Sequence, residues 1–261
     1  MSELVTEMSA GDAPWAAQLM EKRRREYVRY SPVFWRPAEG VTGLHAQFLR
    51  GRIIAETTVA LRTRHGFIIG ERGRSKGLVD DFAVEPPGTW DSDGAALLLA
   101  AAERLAAAGG VAAAGGVAAV VVVTAHADRP KAGMLANLSL TLGEQWWVRE
   151  LRPIGPAAAP GRLSGPGFSG TIGPAPGVYD PGGPVFQNDR AGEHTDLAAI
   201  ELAAAAHGAV LAVLPAAPGA ALVHELRERG WHVASDWYRG IPEAPTGVVR
   251  PGNLGEPFRL P

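Results

Sequence analysis

The fold is decided by three consecutive stretches, GLVDDFAV at Gly77–Val84, EPPGTWDSDG at Glu85–Gly94 and AALLL from Ala95. The first stretch is typical of a central strand, and the second has the Pro and Gly residues of a turn. An apolar stripe at helical spacing follows, formed by Leu97, Leu98, Ala101 and Leu105. The sequence therefore predicts a strand, a turn and an amphipathic helix in this order.

The segments on both sides alternate between strands and helices. Before the central unit we predict an edge strand at Glu3–Met8 and the start of a helix at Asp12–Pro14. A hairpin follows, formed by Ile53–Arg62 and Gly66–Glu71. His45–Leu49 fits a further β segment, although Leu44–Arg50 also fits a helical turn. After the central unit we predict a buried strand, a helix and a closing strand, at Ala118–Thr124, Pro130–Leu140 and Gln145–Leu151.

The C-terminal half repeats part of this plan after a stretch rich in Pro and Gly, Pro153–Pro184. It predicts helix, strand, helix and strand at Leu197–Ala206, Ala209–Leu214, Ala220–Arg229 and Trp231–Tyr238. The order helix–strand–helix–strand thus occurs twice, which indicates a partial internal duplication. We predict two domains, residues 1–155 and 156–261, with a boundary near Gly155–Gly161.

Composition restricts the class of protein. The chain has 261 residues, 46% of them hydrophobic, and a formal net charge of -2, so nucleic acid and membrane surfaces are not expected partners. It has no cysteine, which excludes disulfides, thiolate metal sites and cysteine nucleophiles. No apolar run reaches the roughly 20 residues of a membrane span, and the first residues lack the pattern of an export signal. These features predict a cytoplasmic protein.

Several common motifs are absent from the sequence. The seven His residues show no metal-ligand spacing, so no metal site is expected. A G-x-S-x-G elbow, a phosphate loop ending in Gly-Lys-Ser/Thr and a G-x-G-x-x-G fingerprint are all missing. These absences argue against hydrolase, nucleoside-triphosphatase and dinucleotide-binding functions.

The order of elements resembles the GCN5-related N-acetyltransferase (GNAT) superfamily, as do Asp81-Phe82-Ala83-Val84-x-Pro86 and Gly94-Ala95-Ala96-Leu97-Leu98. The resemblance covers about residues 3–152, and residues 165–240 more faintly resemble the C-terminal half of a second unit, as in tandem GNAT proteins. It implies an α+β fold with a central mixed sheet flanked by helices, plus a partial second GNAT-like half. In that family the fourth strand splays from the fifth, and the thioester cofactor lies between them.

The resemblance implies a site for acetyl-CoA, or another acyl-CoA, along strand four and the following turn. Its cofactor-binding residues would be Phe82, Ala83, Val84, Thr89, Ser92, Gly94 and Ala95. Amides at a helix N-terminus attract a diphosphate, and Gly94 lacks the Cβ that would block close approach. The family usually has Arg or Gln at Thr89 and Gly at Ser92. This loop instead carries two carboxylates, Asp91 and Asp93, of which one is expected to cap the helix.

Acylation of an amine needs an oxyanion donor, a base and a proton donor for the thiolate. The backbone of Phe82–Val84 in a bulged strand is the natural oxyanion donor. For the base we select Asp81, with Glu56 on a strand expected to neighbour it, and Asp80 and Glu85 as further acids. Adjacent strand residues point to opposite faces, so we expect that Asp80 and Asp81 do not share one cleft. An alternative role for Asp81 is a buried carboxylate paired with an Arg.

The family's usual proton donor, a Tyr on the helix after strand five, has no equivalent in Pro130–Leu140. Tyr30, Tyr27 and His126 are alternative donors, and water can also protonate the thiolate. The basic run Lys22–Arg25 fits a solvated helix face. The aromatic-rich Tyr30–Arg36 fits either packing under the sheet or the lining of an acceptor pocket.

The resemblance implies an enzyme, an N-acyltransferase that moves an acyl group, acetyl in the first instance, from a coenzyme A thioester to an amine of a small molecule or peptide. The alternative is a catalytically weak GNAT-like module that binds a ligand and acts as a sensor or subunit. The acidic loop and the missing Tyr favour this alternative. A third interpretation places the ligand in the second half of the chain, and a homodimer is among the expected assemblies.

Overall fold

The structure, a computed structural model, describes residues 5–73, 75–107, 113–114, 117–189, 191–192 and 194–244. The first two residues of the predicted edge strand lie outside these ranges. Within them, no helix is long and apolar enough to cross a membrane. No group of three or more His, Asp or Glu side chains in the same ranges is arranged to hold a metal ion.

The described residues up to position 150 form eight strands and four α-helices. The strands are β1 (Thr6–Glu7), β2 (Thr58–Arg62), β3 (Gly66–Arg72), β4 (Gly77–Val84), β5 (Ala113–Ala114), β6 (Val117–Ala118), β7 (Val120–Ala125) and β8 (Thr141–Glu150). The helices are α1 (Ala13–Tyr27), α2 (Val41–Ile53), α3 (Ala95–Ala107) and α4 (Arg129–Asn137). A 3-10 turn at Pro87–Thr89 and a π-type turn at Trp90–Gly94 lead directly into α3.

The C-terminal part adds five strands and two helices. They are β9 (Gly161–Gly165), β10 (Phe168–Gly173), β11 (Val185–Asn188), α5 (Leu197–Ala206), β12 (Leu211–Ala216), α6 (Leu222–Glu228) and β13 (His232–Gly240). The last four agree with the sequence prediction, because each helix carries apolar residues on its inner side and all residues of β12 are buried.

Eleven of the described strands form one mixed sheet in the order β1-β2-β3-β4-β7-β13-β8-β12-β11-β10-β9. β13 lies between β7 and β8 and is antiparallel to both. The predicted boundary near Gly155–Gly161 falls between β8 and β9, so both predicted domains contribute strands to the same sheet. The division into residues 1–155 and 156–261 stays a prediction.

Helices cover both faces of the N-terminal strands. On one face α3 and α4 pack on Ile68, Val79, Phe82 and Val84. On the other face α1 and α2 pack on Phe67, Ile69 and Ala83. A further core joins α5 and α6 to the C-terminal strands around Trp147 and Phe186. The predicted α+β architecture, a mixed sheet flanked by helices, is therefore confirmed.

The segment around His45 is helical. α2 runs from Val41 to Ile53 and starts after Gly40, whose φ of 66° lies in the left-handed region that glycine adopts without strain. The β interpretation of His45–Leu49 is therefore wrong, and the helical alternative is confirmed. The hairpin is also confirmed, with β2 and β3 antiparallel.

Candidate active site

The parallel strands β4 and β7 separate part-way along their length. Gly77–Val79 pairs with Val120–Val122, and within the described residues the ladder between the two strands ends there. β4 continues to Val84 on its pairing with β3, and β7 continues to Ala125 on its pairing with β13. The resulting opening, which we call the wedge, lies between the carboxyl ends of β4 and β7, as the family resemblance implies.

A β-bulge in β4 directs two acidic side chains to one face of the sheet. Two consecutive residues of β3 pair with Asp81 and Val79, so Asp80 is an extra residue. A bulge interrupts the strict alternation of side chains. Val79 and Phe82 pack on the α3 side, and Ala83 packs on the side of α1 and α2. Asp80 and Asp81 therefore both lie on the side of α1 and α2, so the expectation that they point to opposite faces is wrong, although Asp81 is not among the described residues that line the cavity of Asp80.

Hydrogen bonds connect Asp81 to α1 through α2. His45 Nε2 lies 2.8 Å from Asp81 Oδ1, and Arg24 Nη2 lies 3.1 Å from His45 Nδ1. A guanidinium only donates, so His45 Nδ1 accepts and the ring proton lies on Nε2, which donates to Asp81. Arg24 and His45 are each 2% exposed. Asp81 thus accepts a hydrogen bond from His45, which in turn accepts one from Arg24. This arrangement is close to the alternative role of Asp81, a buried carboxylate paired with an Arg.

Asp80 is exposed and lines a cavity of about 390 Å³. The surrounding protein withdraws this carboxyl group from bulk water and raises its pKa to about 6. The neighbouring Asp81 carboxylate acts in the same direction, whereas Lys131, His45 and Arg24 lower the pKa of Asp80. A carboxyl group whose pKa approaches neutrality is suited to accept a proton in a reaction. Asp80 is therefore a better placed base than the predicted Asp81, whose catalytic role stays a prediction.

The cavity is lined by aromatic residues from both halves of the chain. Phe34 and Trp35 come from the connection between α1 and α2, Trp146 from β8, Trp237 from β13 and Tyr179 from the segment after β10. The aromatic run after α1 therefore lines a pocket through Phe34 and Trp35. Val33 and Phe34 also pack on buried residues of the sheet, so both interpretations left open by the sequence hold.

A larger cavity of about 1080 Å³ lies at the carboxyl ends of β11 and β12. Its lining includes Gly192, Thr195 and Ala217 near those ends, and Trp237, which also lines the smaller cavity. Ligands of open α/β sheets bind outside the carboxyl ends of parallel strands. This cavity is where the third interpretation, a ligand in the second half, would place the ligand.

The wedge between β4 and β7 contains the side chain of Lys131 from α4. Its Nζ donates to the carbonyl oxygen of Phe82 in β4 at 3.2 Å and to that of Val123 in β7 at 2.8 Å. It also lies 5.0 Å from the ring centroid of Phe82 and 5.5 Å from that of Trp90. Burial lowers the pKa of Lys131 to about 8. Since N–H and C=O of one strand residue point to the same side, the Phe82 N–H also faces the wedge.

A second buried ionic cluster joins α1 to the start of α4. Asp128, the N-cap of α4, accepts from Arg23 Nη2 at 2.8 Å and from the Tyr27 hydroxyl at 2.7 Å. The Asp128 side chain is 0% exposed and that of Arg23 is 4% exposed. Burial and the Asp128 carboxylate raise the pKa of Tyr27. The interpretation of Lys22–Arg25 as a solvated face is wrong for Arg23 and Arg24, which are both buried.

The turn between β4 and α3 is filled by Trp90. This side chain is 1% exposed and packs edge-on against Phe82, with ring centroids 4.9 Å apart. Neither Asp91 nor Asp93 is the N-cap of α3, because the preceding π-type turn runs directly into the helix and the Ala95 amide donates to the carbonyl oxygens of Trp90 and Ser92. The expectation that one of them is the N-cap is therefore wrong.

Gly94 provides room for Trp90. A Cβ at position 94 would lie 2.6 Å from Trp90 Cε3. The space that the missing Cβ leaves is thus taken by this protein's own indole, and the role of Gly94 in close approach to a diphosphate stays a prediction.

We expect Gly94→Ala to lower the free energy of unfolding by ~1–3 kcal/mol, the usual cost of overpacking a filled core. The measurement is urea denaturation of the variant and the parent. Gly88→Ala is the matched control, because a Cβ at position 88 would meet nothing within 4 Å. Equal stability of Gly94→Ala and the parent would show that the packing of Trp90 does not require a glycine at position 94.

The other predicted site residues are dispersed. Glu56 is exposed in the turn before β2, a strand that pairs with β3 and not with β4, so it is not next to Asp81. Tyr30 is 66% exposed and does not line the cavity of Asp80. Thr89 and Ser92 bond to backbone oxygens within their own turn, and Ala95 is the first residue of α3. The structure does not bring these residues together with Asp81.

The alternative proton donors already have partners. The Tyr27 hydroxyl donates to Asp128. His126, at the end of β7, lies 2.8 Å through Nδ1 from Asp236 Oδ2, and its side chain is 34% exposed. Of the three alternatives, His126 combines access to solvent with a position beside the wedge.

The residues of the wedge do not fit a pantetheine arm in this conformation. Lys131 occupies the polar position between the two strands, and Trp90 fills the space beside Gly94. The turn also carries two acids, Asp91 and Asp93, whose charges would repel a diphosphate. We therefore assign no cofactor contacts to Phe82, Ala83 and Val84, and their cofactor role stays a prediction.

No known family model matches the sequence, and no curated protein matches it. Solved structures do match. One is a candidate acetyltransferase from Thermoplasma acidophilum, with a TM-score of 0.56, 9% identity, and coverage of 91% of this chain and 99% of that one. Another is a GCN5-related N-acetyltransferase from Sphaerobacter thermophilus, with a TM-score of 0.55, 12% identity, and coverage of 92% and 96%. At such identities a shared fold does not fix the reaction; the chain has the fold of the GCN5-related N-acetyltransferases.

Proposed function

We propose that the protein is an N-acyltransferase that moves an acyl group from a coenzyme A thioester to the amine of a small molecule, with acetyl as the first acyl group to test. One observation carries the proposal. The carboxyl group of Asp80, with a pKa raised to about 6, lies in a cavity at the point where β4 and β7 separate. The fold shared with GCN5-related N-acetyltransferases supports the same reaction class by analogy.

In this reaction a C–N bond forms, the C–S bond of the thioester breaks, the amine nitrogen loses a proton and the thiolate gains one. Asp80 is open to the cavity and accepts the proton that the nitrogen releases. Asp81 is a positioning residue, because its hydrogen bond to His45 holds a second negative charge beside Asp80 and helps to raise the pKa of Asp80. The cavity orients the amine through its aromatic walls.

Lys131 favours a second candidate function, a module with this fold that binds a small amine and no thioester. Its ammonium group bonds to the carbonyl oxygens on both sides of the wedge. These are backbone groups that an inserted ligand would need. In the first candidate function Lys131 has to leave this position, and in the second it stays there.

Two measurements separate the candidates. We expect acetyl-CoA to stabilise the protein in a thermal shift experiment, by about 2.7 kcal/mol at a concentration 100 times its Kd. We also expect amine-dependent release of free thiol from acetyl-CoA. No stabilisation by acetyl-CoA and no thiol release with any amine would reject the acyltransferase and support the binding module.

We expect Lys131→Met to bind acetyl-CoA more tightly than the parent, by about 100-fold or more. Two charge-assisted hydrogen bonds no longer have to be broken, and each such bond contributes about 1.5–3 kcal/mol, where 1.4 kcal/mol is tenfold in Kd. Because the pKa of Lys131 is lowered to about 8, the parent should bind acetyl-CoA more tightly at pH 9 than at pH 7, whereas the variant should lack this change. Calorimetry measures both effects.

Lys22→Met, on the exposed face of α1, is the control for loss of one positive charge. Equal affinity and equal pH dependence of Lys131→Met and the parent would show that Lys131 does not compete with the thioester.

A further inference from the structure

The cavity of Asp80 has rigid aromatic walls. The indole rings of Trp146 and Trp237 stack with centroids 4.8 Å apart. Trp35 makes edge contacts with Phe34 at 4.8 Å and with Tyr179 at 5.6 Å. Rings that hold one another in place lose little conformational freedom when a ligand binds, so the walls are pre-organised.

The charge of the lining favours a cation. Among the described residues that line the cavity, Asp80 is the one carboxylate, and no Lys or Arg is among them. Tyr179 stays neutral, because burial raises its pKa. A carboxylate in a cavity lined by Trp, Tyr and Phe side chains attracts an ammonium group through charge, and these rings can add cation–π contacts.

Two polar atoms of the lining lack partners. Ser235 is 1% exposed, and neither its Oγ nor Trp237 Nε1 has a hydrogen-bond partner among the described residues. Both residues belong to β13 and both line the cavity. Both atoms are closed to solvent in this conformation, so a ligand oxygen reaches them after a small movement of these side chains. A buried donor without a partner costs about 1–3 kcal/mol, which such a ligand would offset.

We infer that the cavity binds a small primary amine with an apolar, aromatic body and an oxygen at the end remote from the nitrogen. The ammonium group contacts Asp80, the body lies between the aromatic rings, and the oxygen accepts from Ser235 Oγ and Trp237 Nε1. A volume of about 390 Å³ is at the small end of the range for small-molecule sites, about 300–1,000 Å³. The inference rests on the proposed function in that it names the amine of that reaction, but binding of the amine needs no thioester.

The test is calorimetry of the full chain with four probes at pH 7.5. Tyramine has all three features, 2-phenylethylamine lacks the oxygen, 3-phenylpropionate replaces the ammonium with a carboxylate, and ethanolamine lacks the aromatic body. We expect tyramine to bind about tenfold more tightly than 2-phenylethylamine, the equivalent of one hydrogen bond. We expect no saturable binding of 3-phenylpropionate or ethanolamine.

Variants assign the contacts. Trp237→Phe and Ser235→Ala should each reduce the preference for tyramine over 2-phenylethylamine, whereas Asp80→Asn should weaken both amines about tenfold and leave their ratio unchanged. Thermal denaturation of each variant confirms that it folds. Binding of 3-phenylpropionate as tight as that of tyramine, or no binding of either aromatic amine to the parent, would overturn the inference.

The two proposals fail in different ways. Binding of tyramine without thiol release from acetyl-CoA would reject the acyl transfer and support the inference about the cavity. Thiol release that is fastest with ethanolamine, and unaffected by Trp237→Phe, would support acyl transfer and overturn the inference.

Discussion

Asp80→Asn is expected to lower kcat/KM for the amine about 100-fold or more, because a positioned general base contributes about 10²–10⁴-fold to a proton-transfer step. Asn keeps the size and the hydrogen-bonding edge of the side chain but does not accept the proton that the attacking nitrogen releases. The measurement is thiol release from acetyl-CoA with the most active amine of the panel. Glu103→Gln, an exposed acid on α3, is the control for loss of one negative charge.

The pH profile separates a base from a structural carboxylate. The pKa of Asp80 is raised to about 6, so kcat/KM of the parent should rise between pH 5 and 7 with a midpoint near 6. Asp80→Asn should lack this rise. The charged or titratable groups that act on Asp80 are Asp81, Lys131, His45 and Arg24. If the variant keeps the same rise, the midpoint belongs to one of these groups and Asp80 is not the base.

Stability provides a further check on the same variant. The pKa of Asp80 is higher in the folded protein than its ordinary value of 3.8, so the folded state holds the proton more strongly than the unfolded state. This contribution to stability is complete below about pH 4 and is lost as the pH rises through about 6. Asp80→Asn should therefore have a Tm at pH 7.5 at least as high as that of the parent, and loss of activity would not come from unfolding.

The strand, turn and helix at Gly77–Ala107 could be predicted because each step has a local cause. The β-branched run of β7 also indicates a buried strand directly, and all its residues are buried. The position of β13 could not be predicted in this way. Its insertion between β7 and β8 is a long-range pairing that leaves no local periodicity, and Gln145–Leu151 alone therefore looks like the closing strand.

The prediction that Asp80 and Asp81 point to opposite faces of the strand failed at the bulge. Alternation of side chains separates Asp80 from Asp81 only in a regular strand, and a single extra residue reverses this conclusion. The sequence around Asp80 is compatible with either geometry. The register is fixed by pairing with β3, where Ile69 faces Asp81 and Gly70 faces Val79.

One signal for the missed residues was present in the sequence. Ala16, Met20, Arg23, Arg24 and Tyr27 follow helical spacing on one side of α1, and all five are buried. The 3.6-residue periodicity of α1 places Arg23 and Arg24 on the same face as the buried apolar residues, whereas their charge alone suggests the solvent-exposed face. Their partners, Asp128 for Arg23 and His45 for Arg24, are 105 and 21 positions away in the sequence. No local pattern connects residues so far apart.

Asp128→Asn is expected to lower the free energy of unfolding by ~3–5 kcal/mol, the usual effect of removing one partner of a buried ion pair. Asn keeps Oδ1 for the Lys131 amide at the N-cap of α4, but Oδ2, the acceptor of the Tyr27 hydroxyl, is replaced by an amide nitrogen. The loss therefore reports on the charge that faces Arg23 together with the hydrogen bond from Tyr27. Arg23 keeps a contact with Glu26, whose side chain is 48% exposed, but that exposed carboxylate compensates little. Urea denaturation at pH 7.5 measures the effect.

The double variant Arg23→Met/Asp128→Asn tests whether the two charges act as a pair. Neither charge remains buried without its partner, so the double variant should be less destabilised than the sum of the single variants by about 0.5–3 kcal/mol. Additive losses would show that Arg23 and Asp128 stabilise the fold independently.

The same pair is expected to affect the active site through α1. Arg23 and Arg24 are consecutive residues, and Arg24 holds His45, which in turn holds Asp81. If Asp128 fixes α1 by its contact with Arg23, Asp128→Asn should lower the midpoint of the pH profile from near 6, because a displaced Asp81 no longer raises the pKa of Asp80. An unchanged midpoint in a folded Asp128→Asn protein would show that the two clusters, although adjacent along α1, are energetically separate.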